Sequence, residues 1–342
     1  MSLDLLVFYC KLRVLRWLTG FHALLDRRRH PASSVIPSSQ VPITSTLPTS
    51  PGNFDVFFYY PSGFKQETAK EAQYPIVIVL HGGGWCVGHA RNDERFISTL
   101  TTRGAVVVAV NYRLAPENPY PAPLSDCLDA ILHIWKNATA MRLDKHRTFI
   151  AGFSVGGQMA FALLFMLWKA LRDDKEPRID PATLGTMKGI TAFYPPMDLT
   201  KTRPQRAASN PAFVALKKKP VSSSKFIGDI FDRAYFWKLR EIPDKGQMFI
   251  SPGLAPPDVV KTALPERIFI NLASLDPLLA EGKAAVVRLK DLGKQVNCEI
   301  IENVPHYWDH LAKTDREKRL RETVYENAAD EIVGALDIKG NP

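Results

Sequence analysis

Three short runs constrain the fold of this 342-residue chain more than any other feature: Ile76-Val77-Ile78-Val79-Leu80, Ala105-Val106-Val107-Val108-Ala109-Val110 and Thr148-Phe149-Ile150-Ala151. Each is apolar at consecutive positions rather than at alternate ones, so neither face of such a strand can be left to water. The segments between them carry helical periodicity, over Asn92–Thr102 and Leu124–Asn137, and a long apolar helix follows over Gly157–Leu171. Strands buried on both faces and alternating with helices predict an α/β fold, a doubly wound and mostly parallel sheet. Phe54–Tyr60 opens the strand pattern; Ile190–Tyr194, Arg267–Ala273 and Val296–Ile301 continue it, and a helix near Arg316–Leu336 closes it.

The rhythm breaks in two places. Between Met197 and Leu264 it gives way to seven prolines, the run Lys217-Lys218-Lys219 and scattered aromatics, which reads as an insertion over the carboxyl-terminal edge of the sheet. Pro31, Pro37, Pro42, Pro48 and Pro51 disfavour both helix and central strand, so that stretch reads as a linker or an extended surface arm. Before it, a helix of about 25 residues presents a broad apolar face of Leu12, Leu15, Trp17, Leu18, Phe21, Leu24 and Leu25. It is expected to pack on the protein, because Arg13 and Arg16 blur the separation of faces that an in-plane membrane helix needs.

Composition narrows the class. Hydrophobic residues make up 46% and charged residues 23%, enough for a sizeable core and unlike a disordered chain. Cys10, Cys86, Cys127 and Cys298 show no paired spacing, which excludes a disulfide scaffold and a cysteine zinc site and reads as reduced intracellular thiols. The net charge of +9 would suggest nucleic acid or an anionic membrane. However, residues 1–30 hold +4 and residues 201–225 hold +7, leaving −2 for the remainder. Nucleic acid is therefore not expected, whereas peripheral membrane contact through residues 1–30 stays open. No basic residue precedes the run Leu3–Cys10, and Lys11, Arg13 and Arg16 interrupt it. It reads as neither a secretory signal nor a spanning helix, which needs about 20 apolar residues. A cytoplasmic protein is expected, with membrane association as the alternative, and the sequon Asn137-Ala138-Thr139 is read as chance.

Gly152-Phe153-Ser154-Val155-Gly156 fits the pattern G-x-S-x-G. Alone it is weak, since roughly one chain in ten of this length holds it by chance. Its setting, after the strand Thr148–Ala151 and before a helix, is the one a nucleophile elbow requires. A capping serine in a glycine turn is the structural alternative. A second motif outweighs it: His81-Gly82-Gly83-Gly84-Trp85 directly follows the strand Ile76–Leu80. Three consecutive glycines cost backbone entropy, and a strand-end loop that keeps them brings backbone close to a ligand. Such a loop supplies oxyanion-hole donors together with the residue after the nucleophile. Here the donors would be Gly83, Gly84 and Val155, with His81 anchoring the loop rather than transferring protons.

These motifs, with Asn111-Tyr112-Arg113-Leu114-Ala115-Pro116-Glu117 and Pro121-Ala122 between them, resemble the hormone-sensitive-lipase-like branch of the α/β-hydrolases over residues 74 to about 310. Two positions depart from the family: Phe153 stands where many relatives have an acid, and Val155 where they have Ala. The resemblance implies an α/β-hydrolase fold in which the N-terminal helices and an insertion form a cap. It divides the chain into an N-terminal cap helix and linker (1–50), a first core part (51–197), a cap insertion (198–262) and a second core part (263–342). The triad would continue with Asp276, in Ser274-Leu275-Asp276-Pro277-Leu278, and His306, in Val304-Pro305-His306-Tyr307-Trp308. His310 is the competitor, and a loop at a strand end reaches over the sheet more readily than a helix start.

The expected function is cleavage of small or medium apolar carboxylic esters through an acyl-enzyme on Ser154, with no metal or cofactor. Trp85, Phe153, Tyr194, Phe231, Trp237 and Trp308 are the candidate substrate-binding side chains. Within the cap, Phe226, Tyr235 and Phe236 are further candidates, with Trp17 or Phe21 as contributors. Alternatives are an amide hydrolase of the arylformamidase type, a tailoring enzyme for a natural-product ester, a membrane-associated lipase, and a non-catalytic binding protein on the same fold. The joint presence of Ser154, Asp276 and His306 speaks against the last.

Overall fold

The computed structural model describes the chain except for residues 1–2, 30–35, 65–72, 173–178, 221–224, 238, 240–242 and 339–342. The apolar runs lie at the centre of a sheet whose strands are β1 (Ser39–Thr44), β2 (Asn53–Tyr59), β3 (Tyr74–Leu80), β4 (Val106–Asn111), β5 (Leu143–Phe153), β6 (Met187–Phe193), β7 (Arg267–Leu275) and β8 (Gln295–Pro305). Their order is β1-β2-β4-β3-β5-β6-β7-β8. β1 and β2 are antiparallel, and every pairing from β4 through β8 is parallel. This is the mostly parallel α/β sheet expected from the sequence.

The helices among the described residues are α1 (Leu3–Arg29), α2 (Glu94–Thr102), α3 (Ala122–Asn137), α4 (Val155–Ala170), α5 (Arg203–Ala208), α6 (Pro211–Ala215), α7 (Lys225–Tyr235), α8 (Pro257–Ala263), α9 (Leu279–Asp291) and α10 (Asp315–Ala335). Strand pleating explains the continuous apolar runs. Ile76, Ile78 and Leu80 face a core shared with Leu124 and Ile131 of α3 and Met159 and Leu163 of α4. Val77 and Val79 face the opposite core with Phe96 and Leu100 of α2 and Val324 and Ala328 of α10. Each such aliphatic side chain, fully buried, contributes about 1.5–3 kcal/mol.

Three elements depart from the sequence reading. The segment read as linker or arm contains β1, an edge strand in register with β2, with Pro42 opposite Asp55. Proline is tolerated there because an edge strand leaves one side of its backbone unpaired. Helix α9 was not anticipated; the residues it buries, Glu281, Gly282, Ala285, Val286 and Leu289, mix a charge and two small side chains with only two larger aliphatic ones and make a faint pattern. Helix α1 packs through only part of its apolar surface. Phe8 and Leu12 are buried, whereas Trp17, Leu18, Phe21 and Leu24 are exposed. Arg16 lies on the packed side: its Nε donates to Cys86 O at 2.8 Å, one Nη to Ala115 O at 2.7 Å, and it pairs with Glu117. No helix among the described residues is long and apolar enough to cross a membrane.

Candidate active site

Ser154 sits between β5 and α4, at φ 51°, ψ −118°, a conformation that L-residues rarely occupy. Packing enforces it. A Cβ at Gly152 would stand 2.3 Å from the Gly156 carbonyl, and one at Gly156 would stand 2.1 Å from Leu80 O. The turn is therefore as tight as backbone contact allows, and only glycine fits on either side. The amide of Ser154 donates to Phe193 O at 2.8 Å, anchoring the turn to β6.

The other two candidate residues come from neighbouring strand ends. Asp276 follows β7 and His306 follows β8, both at the carboxyl edge where α/β sheets gather their functional groups. Ser154 Oγ lies 2.9 Å from His306 Nε2, and His306 Nδ1 lies 2.6 Å from Asp276 Oδ2. Ionised Asp276 only accepts, so Nδ1 carries the proton and Nε2 is left to accept from the serine hydroxyl. The second carboxylate oxygen, Oδ1, takes the Leu278 amide at 2.9 Å. Asn210, at the start of α6, donates to the carbonyls of Ser274 and Asp276 at 2.9 and 2.8 Å and holds the acid's loop.

The glycine loop lies against this group. A Cβ at Gly82 would be 3.5 Å from Ser154 Cβ. Gly83 and Gly84 take φ of +122° and +58°, and a Cβ on Gly84 would stand 2.1 Å from the Phe231 ring. His81 is buried and stacked on Tyr112 at 4.1 Å, and its Nδ1–H donates to Gly82 O at 2.7 Å. Burial holds it neutral, with its pKa lowered to about 3. It anchors the loop from behind and cannot reach a substrate.

A cavity of about 180 Å³ opens over Ser154, His306 and Asp276. Gly84, Trp85 and Val155 form its floor; Arg203, Arg206, Ile227 and Phe231 come from the 198–262 segment and cover it. Gly83 is not among the lining residues. Of the candidate substrate-binding aromatics, Trp85 and Phe231 line the cavity. The remaining four do not. Phe153 points beneath the sheet, stacked on Phe193 at 4.4 Å, because the strand alternation that exposes Ser154 sends its neighbour to the other face. Trp308 is buried in that same core. Trp237 stacks on Phe8 of α1 at 4.9 Å. Tyr194 backs the site instead, its ring 4.9 Å from that of His306 and its hydroxyl donating to Asp309 at 2.6 Å. Trp17 and Phe21 stay in solvent, Tyr235 is buried against Trp85, and the side chain of Phe226 lies outside the described residues.

His310 belongs to a buried polar cluster behind His306. Its Nε2 lies 2.8 Å from Asp93 and its Nδ1 3.1 Å from Asp309, whose other oxygen accepts from Tyr325 at 2.8 Å. Burial works against its charge, but the facing carboxylates outweigh this and keep its pKa well above the ordinary value. For Asp93 burial wins and raises the pKa, whereas at Asp309 burial is outweighed by the charge of the adjacent His310, with hydrogen bonds from His310, Tyr194 and Tyr325, and the pKa is lowered. With one ring nitrogen turned to Asp93 and the other to Asp309, His310 has none left to serve as the base for Ser154.

The sequence reading missed Asn210, Arg203 and Arg206. Their roles depend on contacts across long stretches of chain, such as Arg206 with Glu281 at 2.9 Å, and no local pattern marks them.

Residues 77–310 match the model of a family described by its alpha/beta hydrolase fold. The chain belongs to that family, which includes the hormone-sensitive-lipase-like esterases. A curated alpha/beta hydrolase of Acanthamoeba polyphaga mimivirus is 27% identical over 223 residues, 64% of this chain. The match spans 56% of that relative's length, little more than half. Carboxylesterase NlhH of Mycobacterium tuberculosis is 28% identical over 239 residues, 70% of this chain and 67% of that one. Among solved structures, an esterase of Pyrobaculum calidifontis superposes with a TM-score of 0.73 at 22% identity, covering 96% of this chain and 94% of the other. That likeness is one of fold.

Proposed function

We propose that this chain is a serine-dependent carboxylic ester hydrolase. The observation that carries the reading is the hydrogen-bonded sequence Ser154–His306–Asp276, at 2.9 and 2.6 Å, opening into a cavity. Ser154 Oγ attacks the ester carbonyl while His306 Nε2 takes its proton, and Asp276 stabilises the imidazolium that forms. The carbonyl oxygen becomes an oxyanion facing the amides of Gly84 and Val155, with Gly83 completing the glycine turn; one such donor is worth about 2.7–4 kcal/mol. His306 then returns the proton to the departing alkoxide, which leaves as alcohol. Water, deprotonated by the same imidazole, releases the acyl group as an acid and restores Ser154. A cavity of about 180 Å³ with Trp85, Ile227 and Phe231 in its wall suits a small or medium apolar acyl group. The family membership and the esterase named among its relatives support the same reading.

The test is a panel of chromogenic esters of graded acyl length, run beside Ser154→Ala and Asp276→Asn. Turnover should favour short and medium chains, vanish in Ser154→Ala and fall by about 10⁴ in Asp276→Asn. Undiminished turnover in Ser154→Ala would refute the assignment.

A further inference from the structure

Helix α1 carries two apolar faces, and only one is used by the fold. At 100° per residue, Phe8, Leu12 and Leu15 fall on the side that meets the core, with Arg16 at its margin. Leu6, Val14, Trp17, Leu18, Phe21 and Leu24 fall within one arc of about 120° on the opposite side. All six are exposed, Trp17 at 64% and Phe21 at 46%, and their rings stack on each other at 5.4 Å in solvent. Lys11 and Arg13 flank this stripe and are exposed as well. The helix ends in Arg27-Arg28-Arg29, so its amphipathic outer side sits in a segment of net charge +4.

We propose that this outer face of α1 docks on an anionic lipid bilayer, lying in the interface with Trp17, Leu18 and Phe21 among the acyl chains. An aromatic and aliphatic stripe bordered by basic residues is the chemistry such a surface recognises. Charge decides between lipid and a second copy of the chain. Pairing two α1 helices face to face would bring two segments of +4 together, whereas anionic headgroups neutralise them. The other face of the helix ties this surface to the site. Phe8 stacks on Trp237, and the Arg233 guanidinium lies 4.7 Å above the Phe8 ring, so α1 rests against the end of α7. Helix α7 also supplies Ile227 and Phe231 to the cavity over Ser154. Docking therefore holds the roof of the cavity beside the bilayer, where apolar esters partition.

The experiment is co-sedimentation of the full chain with vesicles of phosphatidylcholine alone or with about 30% phosphatidylserine. The wild-type chain should sediment with the anionic vesicles and lose most of that binding as salt rises from about 0.1 to about 0.5 M. Trp17→Glu/Phe21→Glu alters two solvent-exposed side chains. It should bind at least about tenfold more weakly, with hydrolysis of a water-soluble short ester unchanged. Wild-type chain that stays in the supernatant, or a double variant that binds like wild type, would overturn the proposal. So would a wild-type dimer that the double variant converts to monomer, because the stripe would then be a contact between copies.

Discussion

Replacing Ser154 by alanine and by glycine separates the strain of the elbow from its chemistry. Both variants lose Oγ and its hydrogen bond to His306, so both are inactive and neither retains a polar contact the other lacks. They differ in Cβ. At φ 51°, ψ −118°, a residue bearing Cβ carries about 1–3 kcal/mol of backbone strain that glycine does not. Opposing this, glycine adds about 0.4–1 kcal/mol of unfolded-chain entropy, and the lost buried methyl costs up to about 0.8 kcal/mol. The balance favours Ser154→Gly over Ser154→Ala by about 1 kcal/mol. Elsewhere in a buried element the same comparison runs the other way, so the sign is diagnostic. Urea unfolding followed by tryptophan fluorescence measures it, with the glycine variant's midpoint expected at higher urea and the slope unchanged. A glycine variant no more stable than the alanine one would put the strain below the roughly 0.4–1.8 kcal/mol that opposes it and refute that balance.

His81 predicts a pH effect on stability. The unfolded chain takes up a proton near pH 6.5 that the folded chain refuses until about pH 3. The folded state therefore loses ground as pH falls through 6.5, by about 2 kcal/mol at pH 5 from this residue. Unfolding free energies at pH 7.5 and 5 should differ by that much more in wild type than in His81→Asn; the same pH dependence in both would contradict it. Gly84→Ala should lower kcat/KM by at least about tenfold, because its Cβ would stand 2.1 Å from the Phe231 ring at a φ of +58°. Adding Phe231→Ala removes the clash and should recover part of the loss; no loss in Gly84→Ala would show that the ring yields freely.

Parts of this protein were legible because the information is local. A strand that must be apolar at every position needs cover on both faces, which already implies helices above and below a parallel sheet. The glycines around Ser154 and after His81 were legible for a similar reason, since only a backbone packed to contact excludes a methyl group. The illegible parts share a physical cause. The direction of Phe153, Trp237 and Trp308 depends on strand pleat and on neighbours far away in the chain, so aromatic character alone could not place them. Edge strand β1 was hidden by its prolines, and Asn210 by the 64 residues that separate it from its acceptor on Ser274.

Helix α1 marks the boundary most clearly. Sequence alone determined that it would be a helix with apolar residues around much of its surface, and that its segment would be cationic. Arg13 and Arg16 then looked like two interruptions of one face. Only the tertiary structure could divide the apolar residues between two faces, because which side of a helix is buried depends on the surface it meets. Here Cys86, Ala115 and Glu117 capture Arg16, Phe8 and Leu12 follow it into the core, and Trp17 and Phe21 are left facing outward.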